Sequence, residues 1–184
     1  MQMKIYLTRH GQVPSNIIGR FNPKDEDLTD KGIEQAENLR SLIETIDYDV
    51  IISSPYLRAT HTAELINVKN KPILEDERLK ERDAGNLIGQ SLNVVDREEY
   101  WNYNSDTIFS NEEKIKGFFS RIENFLEDLK SKDYNSVLIV AHSGISKAFS
   151  AYFDGIEDGR FLNRGIANCE IKEYYLKGAY EEEN

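Results

Sequence analysis

Val137-Leu138-Ile139-Val140-Ala141-His142-Ser143-Gly144 is the stretch whose reading decides the fold. Its first five residues are apolar and three of them are β-branched, with no polar residue alternating among them. A strand of that composition has apolar neighbours on both faces, as in a parallel sheet covered by helices. The run stops at a histidine, and Ser143-Gly144 opens a segment with Ile145, Ala148, Phe149 and Tyr152 at helical spacing. The unit is therefore a buried strand that passes through polar residues into a helix.

Similar units lie outward from it. Residues 4–8 (KIYLT) and 50–53 (VIIS) are short apolar runs that read as strands. Between the runs, Ile33, Ala36, Leu39, Ile43 and Ile46 form one helical stripe, and Ile115, Phe118, Phe119, Ile122, Leu126 and Leu129 form another. Ser110 and Glu113 have capping-box spacing before the second stripe. Strands alternating with helices imply an α/β fold, a three-layer sandwich with a mainly parallel central sheet flanked by helices. The whole chain, 1–184, reads as one domain. The polar, weakly periodic stretch 86–109 carries Tyr100, Trp101, Tyr103 and Phe109, and reads as an excursion that would act as a lid.

Composition narrows the function classes. The 39% hydrophobic and 30% charged content is that of a globular chain. A formal net charge of −10 opposes the basic footprint of nucleic-acid or anionic-membrane binding, so neither partner is expected. No run approaches the ~18–20 apolar residues of a membrane span, and the first residues lack a signal-peptide pattern, so the expected location is the cytosol. Cys169 is alone, which removes an intrachain disulfide, and no cysteine–histidine cluster offers a zinc site. Glu181, Glu182 and Glu183 read as a solvated tail.

In open parallel sheets, ligands sit beyond the carboxyl ends of the strands. Here those ends carry Arg9-His10-Gly11, Ser53-Ser54-Pro55 with Arg58 close behind, and His142-Ser143-Gly144. Arg9 places a permanent cation beside an imidazole, a pairing that suits an anion. Ser54 and Pro55 read as the N-cap and first residue of a helix, which puts Arg58 near its positive end, where a bound anion would offset the unfavourable charge. The main-chain N–H groups at Ser143-Gly144 could also grip a phosphate. His61 reads as a core histidine satisfied within the fold. Glu81 sits in the charge-dense segment 79–85, where a solvated turn is the ordinary reading, yet phosphoryl transfer to a histidine needs a proton donor of this kind.

Other chemistries lack their signatures. There is no G-x-x-x-x-G-K-[ST] or G-x-G-x-x-G loop, no H-E-x-x-H helix and no G-x-S-x-G elbow. Cys169 is not followed by an arginine-bearing anion loop. Asp47 and Asp49 precede the strand 50–53 rather than follow it, and read as capping and solvated residues.

Taken in order, the motifs resemble those of the histidine phosphatase superfamily, also called the phosphoglycerate mutase-like family. Leu7-Thr8-Arg9-His10-Gly11-Gln12 with Asn16 resembles its signature, and Leu28-Thr29-Asp30-Lys31-Gly32 with Gln35-Ala36 resembles the segment that follows. Ser53-Ser54-Pro55-Tyr56-Leu57-Arg58-Ala59 is similar to the second motif, Glu81-Arg82-x-x-Gly85-x-x-x-Gly89 to the acid-bearing motif, and Val140-Ala141-His142-Ser143-Gly144 to the second-histidine motif. The resemblance implies a phosphoglycerate mutase-like sandwich and a phosphomonoesterase acting on a small phosphorylated metabolite. It implies His10 as nucleophile, Arg9, Arg58 and His142 as ligands of the phosphoryl oxygens, and Glu81 as general acid and then base. Asn16, Ser143 and Arg82 would contact substrate, and neither metal nor other cofactor would be needed. Val13 stands where the family commonly has Thr, which removes a hydroxyl contact, and Ser143 replaces a frequent Gly. Mutases of the family carry an arginine-paired insertion after the acid motif, whereas residues 86–117 contain only Arg97, so hydrolysis is preferred to mutase activity. A non-catalytic phosphoester-binding protein is the alternative from a different class.

Overall fold

The computed structural model describes residues 2–177; Glu181–Glu183 lie outside the described residues. In chain order the elements are β1 (Gln2–Arg9), α1 (Pro14–Ile18), α2 (Asp30–Thr45), β2 (Val50–Ser53), α3 (Leu57–Ile66), β3 (Ile73–Glu75), α4 (Arg97–Tyr100), α5 (Ile115–Lys130), β4 (Ser136–Ala141), α6 (Ser143–Asp154) and β5 (Ile171–Lys177). The sheet order is β3-β2-β4-β1-β5. β1 and β2 run parallel to β4, β3 runs parallel to β2, and β5 pairs antiparallel with β1, so the sheet is mixed. No helix among the described residues is long and apolar enough to cross a membrane.

The unbroken apolar character of β4 has its cause in this placement, for all six of its residues are buried. Alternate side chains serve opposite cores. Val137, Ile139 and Ala141 join Ile5, Leu7, Val50 and Ile52 beneath Phe118, Ile122 and Leu126 of α5 and Ile145 and Phe149 of α6. Leu138 and Val140 join Tyr6 and Ile51 beneath Ala36, Leu39 and Ile43 of α2 and Ala59, Ala63 and Ile66 of α3. The helical stripes read from the sequence thus face the sheet from its two sides.

Three local expectations are corrected. The helix after β2 starts at Leu57 with Tyr56 at its N-cap, not at Ser54-Pro55; the Ser54 hydroxyl accepts from the Tyr56 N–H in a turn that precedes the helix. Ser110 and Glu113 form no capping box: α5 starts at Ile115 behind an uncapped Lys114, while the Glu113 carboxylate accepts from Arg121 Nε at 3.0 Å and Nη2 at 2.8 Å. Asp49 caps no helix; its carboxylate accepts main-chain N–H bonds from Asn135 and Ser136 at the start of β4.

The stretch 86–109 contains short 3-10 turns and α4, and it is built around its own small cluster of Phe21, Ala84, Leu87, Val95 and Tyr100. A bridge between Arg20 and Ser91 and another between Asn102 and Arg160 tie it down at two points.

The loop after β1 is held against the start of α2 by a backbone-to-backbone approach. A Cβ on Gly32 would collide with the Gln12 carbonyl, and one on Gly11 with the Gly32 carbonyl. Gly32→Ala must therefore move main chain next to His10. At ~1–3 kcal/mol for such overpacking and about 2–4 °C per kcal/mol at this chain length, its melting temperature is expected to fall by several degrees. An unchanged melting temperature would show that the two segments separate freely.

Candidate active site

The register of the three parallel strands sets their carboxyl ends level. Arg9 pairs with Ala141 and Ser53 with Val140. The ladder continues one residue further, with His10 N–H donating to Ala141 O at 3.0 Å and Ser54 N–H to Val140 O at 2.9 Å. His10, Ser54 and His142 are thereby brought together, and the two imidazole rings lie 5.2 Å apart, edge to face. Both histidines are buried.

His10 is held at several points. Its Nδ1 is 2.7 Å from Gly11 O, so Nδ1 carries the proton and donates, leaving the lone pair on Nε2. Its carbonyl accepts from Asn168 Nδ2 at 2.8 Å. The following Gly11 N–H donates to Thr62 Oγ1 at 3.0 Å, and that hydroxyl donates to Arg58 O at 2.7 Å, so α3 braces the loop. Burial, then Arg58 and Arg9, hold the His10 pKa well below the ordinary 6.5, although the bond to Gly11 opposes the shift. The ring is neutral and therefore nucleophilic.

His142 is held differently. Its Nε2 lies 2.7 Å from Ser54 Oγ, which also accepts from Tyr56 N–H at 3.3 Å. Among the described residues the Ser54 hydroxyl proton has no acceptor other than His142 Nε2, so the hydroxyl donates to that nitrogen, which places the ring proton on Nδ1. That Nδ1 is buried without a partner. Burial, Arg58, His10 and Arg9 lower the His142 pKa well below 6.5.

Two arginines complete the cluster. Arg58, the second residue of α3, is buried and donates through Nη1 to Pro23 O at 2.8 Å, with its guanidinium over the Tyr56 ring. Arg9 donates through Nη1 to Ile166 O at 3.3 Å. The Nε of each is buried without a partner. Burial lowers both pKa values, Glu81 opposing it in each case. Such orphaned buried donors are costly unless a ligand satisfies them. Three of the five orphaned side-chain atoms among the described residues belong to Arg9, Arg58 and His142.

Glu81 is brought to the same place from the segment after β3. Its Oε2 accepts from Gly144 N–H at 3.0 Å and its Oε1 from Arg82 N–H at 2.9 Å. Gly144 makes this possible, because a Cβ there would strike the carboxylate. The Gly144 N–H expected to be open to a phosphate is thus taken by Glu81. Arg82 is buried, donates to the carbonyls of Glu113 and Tyr100, and lies over the Tyr100 ring at 4.1 Å. Asn16 Oδ1 accepts from Val13 N–H at 3.2 Å and from Asn168 Nδ2 at 3.3 Å.

Most of these groups open onto one cleft of about 570 Å³, lined by Arg9, His10, Asn16, Arg58, Glu81, Arg82 and Ser143 among others, while His142 lies behind it against the His10 ring. Tyr100 and Trp101 also line it, whereas Tyr103 packs on Phe119 at 5.4 Å. His61 is not a core histidine; it is half-buried on α3, with Nδ1 2.8 Å from Asp27 Oδ1. Among the described residues no three His, Cys, Asp or Glu come together where they could hold a metal ion.

Sequence reasoning missed Ser54's bond to His142, Thr62, Asn168 and Lys147, all of which border this arrangement. Only Lys147 left a signal, because it lies four residues after Ser143 and so on the same face of α6.

The comparisons with known proteins agree in kind. Residues 5–181 match the histidine phosphatase superfamily (branch 1). The adenosylcobalamin/alpha-ribazole phosphatase of Escherichia coli is 29% identical over 163 residues, 84% of this chain and 80% of the relative. Phosphoserine phosphatase 1 of Hydrogenobacter thermophilus is 27% identical over 185 residues, 95% of this chain and 87% of the relative. Among solved structures, the alpha-ribazole phosphatase of Shigella flexneri superposes with a TM-score of 0.80 at 27% identity, covering 93% of this chain and 89% of that one.

The depressed histidine pKa values fix the sign of a pH effect. Between each folded value and 6.5, the unfolded chain binds a proton that the folded protein refuses. Stability therefore falls as pH drops below about 6.5, by up to ~1.4 kcal/mol per pH unit for each histidine. Urea unfolding between pH 7.5 and 5.5 is expected to show this decline, and His142→Asn to flatten part of it. An equal slope in the variant would mean that His142 is not held neutral.

Proposed function

Since the chain belongs to the histidine phosphatase superfamily, we propose that it is a cytosolic, metal-independent phosphomonoesterase of the histidine acid type, built as one domain and acting on a small phosphorylated metabolite. The observation that carries this reading is the trio of orphaned buried donors, Arg9 Nε, Arg58 Nε and His142 Nδ1, beside a histidine whose Nε2 lone pair is free. They supply positive charge and N–H groups for the equatorial oxygens of a phosphoryl group, the part of phosphoryl transfer that depends on electrostatics and alignment.

His10 Nε2 attacks phosphorus while the bond to the leaving oxygen breaks, and Glu81 gives that oxygen its proton. The ring then carries the phosphoryl group and leans on its Nδ1–H bond to Gly11 O. In the second half, Glu81 as carboxylate takes a proton from water, which attacks phosphorus and frees His10 and inorganic phosphate. Asn16, Ser143 and Arg82 border the bound ester, and residues 86–109 cover it through Tyr100 and Trp101. The relatives named above are an adenosylcobalamin/alpha-ribazole phosphatase and a phosphoserine phosphatase, which supports a phosphorylated metabolite as substrate.

His10→Ala is expected to abolish turnover and the capture of labelled phosphate. An acid-labile phosphoenzyme in that variant would remove His10 from its role. Activity of the intact protein should survive EDTA, and phosphate release should exceed interconversion of monophosphoglycerates; the reverse of either result would overturn the hydrolytic, metal-free reading.

Glu81→Gln offers a finer test, because an alkoxide needs a proton more than a nitrophenolate does. General acid catalysis contributes typically ~10²–10⁴-fold. Single-turnover phosphorylation by alkyl phosphates should therefore fall by about that factor, and by aryl phosphates much less. Equal losses would place the proton donor elsewhere, with Asp83 the next carboxylate lining the cleft.

A further inference from the structure

The phosphoryl-binding groups use only part of the positive charge in the cleft. Seven lysines and arginines line it against two carboxylates, Glu81 and Asp83, on a chain whose net charge is −10. Lys24 is paired with Asp83 at 3.1 Å, and Arg82 is bonded to main-chain carbonyls. Arg20, Arg97 and Lys147 remain, and of these three only Lys147 is buried.

Lys147 is 5% exposed, yet no carboxylate among the described residues lies within ion-pair distance of it. Its Nζ donates to Leu162 O and lies 5.2 Å from the centre of the Trp101 ring. An ammonium has three N–H groups, so two remain beyond the single carbonyl bond. The position is built rather than incidental: Gly165 packs so closely that a Cβ there would sit 2.8 Å from Nζ. Ser143, one helical turn earlier on the same face of α6, stands next to His142, which places Lys147 just beyond the phosphoryl end of the cleft. Arg97, exposed at the start of α4 and without an ion-pair partner among the described residues, lines the same cleft.

We infer that Lys147, assisted by Arg97, forms a second anion subsite that receives a carboxylate on the alcohol portion of the substrate. The substrate class is then a phosphomonoester of a short hydroxy acid, and the assignment rests on the phosphomonoesterase reading of the same cleft. A buried charge with no partner is unfavourable until a counter-charge arrives. Two free N–H groups match the two oxygens of one carboxylate, whereas a second phosphate would call for the denser set of donors found around His10. Burial pushes the Lys147 pKa down to about 8, with Glu81 pulling it up and Arg97 and Arg9 adding to the fall, as expected of an ammonium among cations with little acid beside it.

Two ligands that differ at one group test this: 3-phosphoglycerate and glycerol 1-phosphate, in which the carboxylate is replaced by hydroxymethyl. Binding is measured by calorimetry on His10→Ala protein, where no turnover intrudes. The carboxylate ligand is expected to bind at least tenfold more tightly. Lys147→Met in that background should erase the preference while leaving glycerol 1-phosphate affinity unchanged, and Lys147→Arg should restore most of it. Arg97→Gln, at an exposed site that cannot threaten folding, should lower the preference two- to threefold. Equal affinities for the two ligands, or equal losses for both in Lys147→Met, would overturn the inference and leave Lys147 as a tie between α6 and Leu162. Turnover of an aryl phosphate by the otherwise intact protein is read separately. Its absence would overturn the phosphatase reading, while the ratio of affinities still decides the subsite.

Discussion

The site depends on one constraint, the main-chain ladder along the carboxyl end of β4. Because β4 lies between β1 and β2, a single strand sets the height of both neighbours. The bonds from His10 N–H to Ala141 O and from Ser54 N–H to Val140 O extend that control past the regular strands, into the residues proposed to carry the chemistry. A one-residue slip of register would send every side chain of the strand to the opposite layer, so the packing of both cores resists it. The positions of His10 and His142 are therefore guaranteed by hydrophobic burial far larger than any interaction within the site.

That guarantee lets the cleft hold an arrangement that is unfavourable by itself. Two guanidinium groups and two imidazoles share one buried region, and three of their polar atoms have no partner. Each cation presses on the others: Arg58 and Arg9 depress both histidines, and Arg9 and Arg58 repel each other. Glu81 supplies opposing charge to both arginines. The folded chain bears this strain because backbone carbonyls of Ile166 and Pro23 and the hydroxyl of Ser54 fix the side chains where an incoming anion relieves it.

The sequence made the central strands readable for the same reason that they are central. β2 and β4 are buried along their whole length and β1 over residues 5–8, and each carries a short unbroken apolar run there. β3, three residues long and mostly exposed, and β5, an edge strand with lysines and a glutamate along it, carry no such mark and went unread. The residues at strand ends were legible because a topological rule points there, and His10, His142, Arg9 and Arg58 all fall within it. Ser54 was legible as a polar residue but not in its whole role, since its hydroxyl, besides its bond to Tyr56 N–H, reaches a histidine 88 positions away. Thr62 and Asn168 were invisible for a like reason: each reaches the His10 loop across more than 50 positions, and no local spacing records such a contact.

The 86–109 excursion is anchored on its own apolar cluster, on two short bridges and, through Trp101 and Tyr103, on the helices that cover the sheet. Tyr100 and Trp101 thus reach the cleft from a stretch outside the sheet, whereas Lys147 reaches it from α6, directly behind β4. The outer part of that stretch can be exchanged with little disturbance to the ladder beneath it. A scaffold of this kind is able to acquire new specificities by replacing one peripheral cassette while its catalytic floor stays unaltered.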